Sequence, residues 1–146
     1  MREGISSYFN YTILFVVVLL FSGFVAIAMN YTKAYRMKNG ILSNLERYSG
    51  NVSDSAFLEE IKKGANNLGY KATSDMMNSV PNSYTCVTDQ GWCYKKNSYK
   101  KDSQGIKYYT IDIIVFINFD IPIVREIMPK RFFSMSGTTS SIPDLG

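Results

Sequence analysis

Two cysteines and a run of lysines interleaved with tyrosines are the residues of this 146-residue chain whose types and spacing could do chemistry. Histidine is absent, so neither a Ser-His-Asp nor a Cys-His nucleophile can be assembled. Carboxylate pairs or lysine chemistry are the remaining routes to catalysis. Asp112 and Asp120 fall in or beside the most apolar stretch of the second half, and the sequence offers neither a partner. No enzyme is expected, and no cofactor is implied. Cys86 and Cys93 are too few and too close for a four-ligand zinc site, and their spacing is not that of a Cys-x-x-Cys redox centre, so no metal is expected either.

The cysteines flank Thr88-Asp-Gln-Gly91, with Tyr84 and Cys86 before it and Trp92, Cys93 and Tyr94 after it. That pattern predicts a β-hairpin, which would set the two thiols opposite one another within disulfide reach. Closing so short a loop stabilises a small domain by roughly 2 to 3 kcal/mol in the chain-entropy account. A disulfide implies an exported domain; the competing reading is a pair of reduced thiols in a cytosolic one.

Lys95, Lys96, Lys100, Lys101 and Lys107 cluster with Tyr94, Tyr99, Tyr108 and Tyr109. Lys95, Lys96, Tyr99, Lys100 and Lys101 are the candidate ligand-binding set, suited to phosphates and stacked bases. The preferred account is a solvated loop between strands, its lysines discouraging edge pairing, because the net charge of +4 is too small to imply nucleic acid.

From Gly4 to Thr32 no charged residue occurs, and Tyr11 to Met29 is apolar almost throughout. Such a run crosses a hydrocarbon core of roughly 30 Å, which needs about 20 residues. Tyr8, Tyr11 and Tyr31 flank it as interfacial rings do. Residues 1–32 therefore read as a transmembrane anchor with a short N-terminus. The competing reading is a signal peptide cleaved after Ala26-Ile27-Ala28, which would leave Met29 at the N-terminus of a secreted protein. Ser22, Gly23, Ala26 and Ala28 are small enough to admit a neighbouring helix. Lys33, Arg36 and Lys38 follow the span closely and would by the positive-inside rule hold the head in the cytoplasm, whereas the cysteine pair favours a head outside. Triplets headed by Asn10, Asn30 and Asn51 match the glycosylation pattern, which carries meaning only in a eukaryotic secretory context.

Helical periodicity continues through Ala34, Met37, Ile41, Leu45 and Tyr48, so residues 33–50 form a stalk continuous with the anchor. A helix from Ile5 to Tyr48 would be on the order of 65 Å long, with Gly40 its weak point and Gly50 its stop. A second helix opens near Ser53 to Ser55, carries Phe57, Leu58, Ile61, Ala65 and Leu68 on one stripe, and ends at Gly69. Tyr70 to Pro81 reads as a loop with at most a short turn around Asp75 to Asn78. One strong strand runs from Lys107 to Phe119, with Tyr109, Ile111, Ile113, Val115, Ile117 and Phe119 on its apolar face. Pro122 and Pro129 bracket Ile123 to Met128, and Arg131 to Met135 predicts a last edge strand. The fold class is α+β: a long N-terminal helix, half transmembrane and half amphipathic stalk, a second short helix, and a small antiparallel sheet. The head spans 51–135, and 136–146 reads as a flexible tail.

This order of parts resembles a type IV pilin-like subunit, and more particularly the Tad-pilus pseudopilins of the TadE-like group. The similarity lies mainly in Ile111-Asp-Ile-Ile-Val-Phe-Ile-Asn-Phe-Asp-Ile-Pro-Ile123 followed by Phe132-Phe-Ser-Met-Ser-Gly-Thr-Thr139. The resemblance implies processing by a prepilin peptidase after a glycine, and Arg2-Glu3-Gly4 before Ile5 fits that outline. Gly4 and Ile5 are thus the candidate processing site. Cleavage there places Phe9 at the fifth mature position, where pilins of the family carry Glu, which argues against a major repeating subunit and for a minor or pseudopilin role, or for no processing whatever. The implied function is a noncatalytic component of an envelope filament or secretion machine. Its expected partners are membrane lipid, other pilin-like subunits met through the N-terminal helix, and an assembly platform. An anchored extracytoplasmic module binding an acidic ligand or nucleic acid is the alternative.

Overall fold

The computed structural model describes residues 2–119 and 132–144. Pro122, Pro129, Asp120 and Arg131 lie outside the described residues. One unbroken helix, α1 (Arg2–Arg47), takes up the first third of the chain and passes through Gly40 without interruption. At 46 residues it is about 69 Å long. Gly50 is left-handed at φ 72°, as its place at the stop predicts, and Ser49 before it is left-handed too, at φ 51°. The Ser49 and Gly50 amides donate to Glu46 O and Leu45 O, the paired bonds of a Schellman close. Gly50 is needed for a second reason, because a Cβ there would lie 2.5 Å from the Tyr109 hydroxyl oxygen.

Helix α2 (Ser55–Leu68) begins at Asp54, whose side chain accepts from the amides of Ala56 and Phe57, satisfying donors that the first turn leaves free. It ends at Gly69 in the left-handed conformation, with Gly69 N–H donating to Asn66 O and Tyr70 N–H to Ala65 O. A one-turn helix, α3 (Ser74–Asn78), sits where a short turn was expected.

The head contains two antiparallel sheets. Strands β1 (Thr85–Val87), β2 (Trp92–Lys96), β5 (Ile111–Asn118) and β6 (Phe132–Thr138) form one, in the order β1-β2-β5-β6. Strands β3 (Lys100–Lys101), β4 (Lys107–Tyr109) and β7 (Ile142–Pro143) form the other, in the order β3-β4-β7. The single strand expected from Lys107 to Phe119 is therefore divided at Thr110. There Asn97 N–H donates to Thr110 O, while the Thr139 hydroxyl accepts from Ile111 N–H and Thr139 N–H donates to Ile111 O. These bonds let the strand pass from one sheet to the other with its backbone satisfied. The tail expected at 136–146 is also corrected: β6 runs to Thr138, Thr139 and Ile142 are buried, and Ser140 N–H donates to Glu46 Oε1 at 2.8 Å. That bond and the one from the Ser140 side chain hold the Glu46 carboxyl below the ordinary carboxylate range. Runs of small polar residues resemble a loose end in sequence, yet here they supply pairing backbone.

The core lies between the helices and the inward face of the larger sheet. Ala34, Met37, Ile41 and Leu45 of α1 meet Phe57, Ile61 and Ala65 of α2 and Ile111, Ile113, Val115 and Ile117 of β5, around a fully buried Trp92. Burying an Ile or Leu contributes about 1.5 to 3 kcal/mol. The exposed Arg47–Glu60 pair at 3.3 Å, worth about 0 to 1 kcal/mol, is minor beside them. Gly137 of β6 faces α1 so closely that a Cβ would stand 3.0 Å from Leu42 Cδ1 and 3.1 Å from Lys38 Cδ. On the opposite face α3 places Met76 and Met77 over Cys93 and Phe116, a second, smaller cluster.

Tyr70 ties these layers together. Continuing the β2–β5 register past Trp92 and Val115 puts Gly91 opposite Phe116. In that rung the Tyr70 hydroxyl donates to Gly91 O at 2.7 Å and accepts from Phe116 N–H at 2.9 Å. Nearby, Trp92 Nε1–H donates to Gln90 Oε1 and Gln90 Nε2–H to Leu58 O, bonding the hairpin to α2.

Burial pushes the Tyr70 phenol up to about 12, the amide of Phe116 acting in the other direction. The unfolded phenol titrates near 10, so this contribution is complete below about pH 10 and is lost as pH rises toward 12. Denaturant titrations of the full chain in micelles should therefore lose about 2 to 3 kcal/mol over that interval from Tyr70. Tyr70→Phe, which leaves Gly91 O and Phe116 N–H without their bridge, should cost about 2 kcal/mol or more at neutral pH. A variant as stable as the wild type would show that the bridge contributes nothing.

Candidate functional site

Three surfaces come forward from the candidate residues. Gly4 and Ile5 lie in the first turns of α1, with open space around Gly4 and Ile5 72% exposed. They belong to a helical segment whose apolar side chains, Ile5 through Met29, are mostly exposed, with Ala26 and Ile27 half-buried. Among the described residues α1 is the one helix long and apolar enough to span a membrane. Its burial begins only at Ala34, one turn past Asn30.

Cys86 and Cys93 sit opposite one another across the β1–β2 hairpin and are joined in a disulfide. Cys93 is fully buried beneath α3. The bond thus staples the edge of the larger sheet and also forms the floor on which Met76 and Met77 pack.

The lysine–tyrosine cluster is split by the strand alternation. Lys95 projects to the sheet face away from α1, beside Tyr84, and pairs in register with Asp112. Lys96 projects to the other face, where its Nζ lies 3.7 Å from the centre of the Tyr109 ring and 5.4 Å from that of Tyr99. Tyr99 stands edge-on to Tyr109 with ring centres 5.8 Å apart. Lys96 is therefore held by two aromatic faces, an attraction of about 0.5 to 2 kcal/mol. Lys100 and Lys101 are exposed on the smaller sheet, opposite Tyr108 and Lys107. Asn97, Ser98, Lys100, Tyr108, Tyr109, Thr110 and Ser141 border an open hollow of 390 Å³. Of the candidate ligand-binding set, Lys100 alone lines it.

Asp112, which had no partner in sequence, accepts hydrogen bonds from Asn97 Nδ2 at 2.9 Å and Thr138 Oγ1 at 2.6 Å. These contacts cross sequence separations of 15 and 26 residues, and nothing local in the sequence signals them. The carboxylate is a strand-tying acceptor. Among the described residues no three His, Cys, Asp or Glu side chains come together to hold a metal.

The structure thus defines a class: a long apolar N-terminal helix carrying a small, disulfide-bonded antiparallel head, consistent with pilin-like architecture. Compared with known proteins, the chain matches no family model, no curated protein and no solved structure.

Removing the disulfide tests its weight. Cys86→Ser combined with Cys93→Ser should lower the stability of the head by about 2 to 3 kcal/mol, read as a shift in the denaturation midpoint with the helix signal of α1 retained. An unchanged midpoint would make the bond a passive oxidation product.

Proposed function

We propose that the chain is a noncatalytic, membrane-anchored pilin-like subunit, a minor pilin or pseudopilin of the TadE-like kind, in an envelope filament or secretion machine. The observation that carries this reading is the division of α1 along its length. The half from Ile5 to Met29 is mostly exposed and apolar, while the half from Ala34 to Leu45 is built into the head. A helix of this kind can exchange lipid for other helices with little disturbance of the fold above it, because the buried stripe that holds the head begins only at Ala34. Ser22, Gly23, Ala26 and Ala28 offer close approach to such neighbours. The head faces the extracytoplasmic side, where its disulfide forms and persists. Gly4 is the processing position and Ile5 the mature N-terminus. Phe9 in place of an acidic fifth residue fits a subunit used in few copies.

The second reading, an anchored binding module, draws on the hollow beside Lys100. It is weakened by the engagement of Lys96 with tyrosine rings and by the separation of Lys95 from Lys100 and Lys101. Replacing Lys95, Lys96, Lys100 and Lys101 by Ser should leave retention on a polyanion matrix unchanged; wild-type retention that depends on salt and disappears in the variant would favour this reading instead.

Intact mass spectrometry of the protein from its native membrane, with and without reductant, tests the leading proposal. The expected species lacks residues 1–4 and gains the mass of two hydrogens on reduction. A full-length chain with two free thiols, or a tagged chain that never co-purifies with pilin-like proteins or an assembly platform, would overturn it.

A further inference from the structure

The underside of the head meets the apolar helix in two adjoining grooves. One, of 450 Å³, is lined by Phe24, Val25, Ala28 and Met29 of the apolar run, then by Thr32, Lys33 and Arg36, with Asn67 and Leu68 of α2 as its far wall. The other, of 160 Å³, shares Lys33 and is lined by Asn30, Gly69, Tyr70, Lys71, Phe116 and Asn118. No acidic side chain lines either groove among the described residues. Lys33, Arg36 and Lys71 also take no part in the ion pairs seen among them. The arrangement is graded: apolar walls below, three cations above.

The depth of this collar follows from helix geometry. If Met29 ends the hydrocarbon layer, Lys33 and Arg36 lie about 6 and 10 Å farther along the axis, at the level of lipid phosphates. On α1 at the same level Tyr31 and Tyr35 stack with ring centres 6.4 Å apart and are about half exposed, as rings of an interfacial belt are. A head on the translocated side with Lys33, Arg36 and Lys38 next to the span runs against the positive-inside preference.

We infer that the collar is a binding site for an anionic phospholipid, whose acyl chain lies along Phe24, Val25, Ala28 and Met29 and whose phosphate is held by Lys33, Arg36 and Lys71. The inference rests on the reading of α1 as a membrane anchor. Lys33 also has a role within the fold, since its Nζ lies beside Gly69 at the C-terminal end of α2, where a cation is favourable. Arg36 and Lys71 are therefore the residues to test. They have no such role among the described contacts.

The full-length protein would be placed in nanodiscs of equimolar phosphatidylglycerol and phosphatidylcholine, and the lipids retained after mild extraction counted by native mass spectrometry. The wild type should retain phosphatidylglycerol in preference by roughly fivefold or more, and Arg36→Gln with Lys71→Gln should bring the ratio to about one. Lys95→Gln with Lys101→Gln removes the same charge elsewhere on the head and should leave the preference intact. A wild-type chain that stays in the disc without preference, or a collar variant that keeps it, would overturn the inference alone. A chain that leaves the disc would overturn the anchor reading and this inference with it.

Discussion

Everything above the membrane-compatible part of this chain depends on one contact, that of the α1 stripe Ala34, Met37, Ile41 and Leu45 with the odd-numbered face of β5. The helix supplies a wall the sheet cannot provide for itself, since a four-stranded sheet with one apolar face needs a cover. Helix α2 widens that cover and Trp92 fills the space between. A single rigid element thus serves two surroundings in turn, with no linker between them. The abruptness of the change, from exposed Met29 to buried Ala34 within about a turn and a half, leaves the head little freedom to stand away from the apolar segment.

The polar contacts organise this apolar base. Tyr70, Gln90, Asp112 and Thr139 each bond across strands or between helix and sheet, and every buried side-chain nitrogen and oxygen among the described residues has a partner. Their net strengths are modest, but an unpartnered group at any of these positions would be costly. They act as register devices: Tyr70 closes the rung where β2 gives out, and Thr139 bridges the step between the two sheets. The disulfide belongs with them, because it fixes the shortest strand pair of the larger sheet.

Much of the architecture was legible in the sequence because its signals are local or periodic. The uncharged run, the three- and four-residue spacing from Ala34 to Leu45, the glycine after Leu68 and the alternation after Lys107 each report on a few neighbouring residues. What escaped depends on distant ones. The division at Thr110 requires Thr139 and Asn97, which periodicity cannot bring together, and the ordered stretch after Ser136 requires α1 and β4 as partners. The cysteine pair was legible because a hairpin made it local. The lysine–tyrosine cluster was legible as composition only: alternation along β2 sends Lys95 and Lys96 to opposite faces. The basic collar was visible as Lys33 and Arg36, but Lys71 joins them only through the return of α2 along α1.

Because the head is bolted to α1 by side chains on one stripe, it is keyed to the azimuth of that helix. Each residue along an α-helix turns about 100°, so whichever face of the Ile5 to Met29 segment meets a neighbouring helix also decides which face of the sheet confronts the neighbour's head. The chain works like a key, its shaft and bit cut from one piece: any rotation of the apolar half is delivered undiminished to β6 or to the hairpin at the opposite edge.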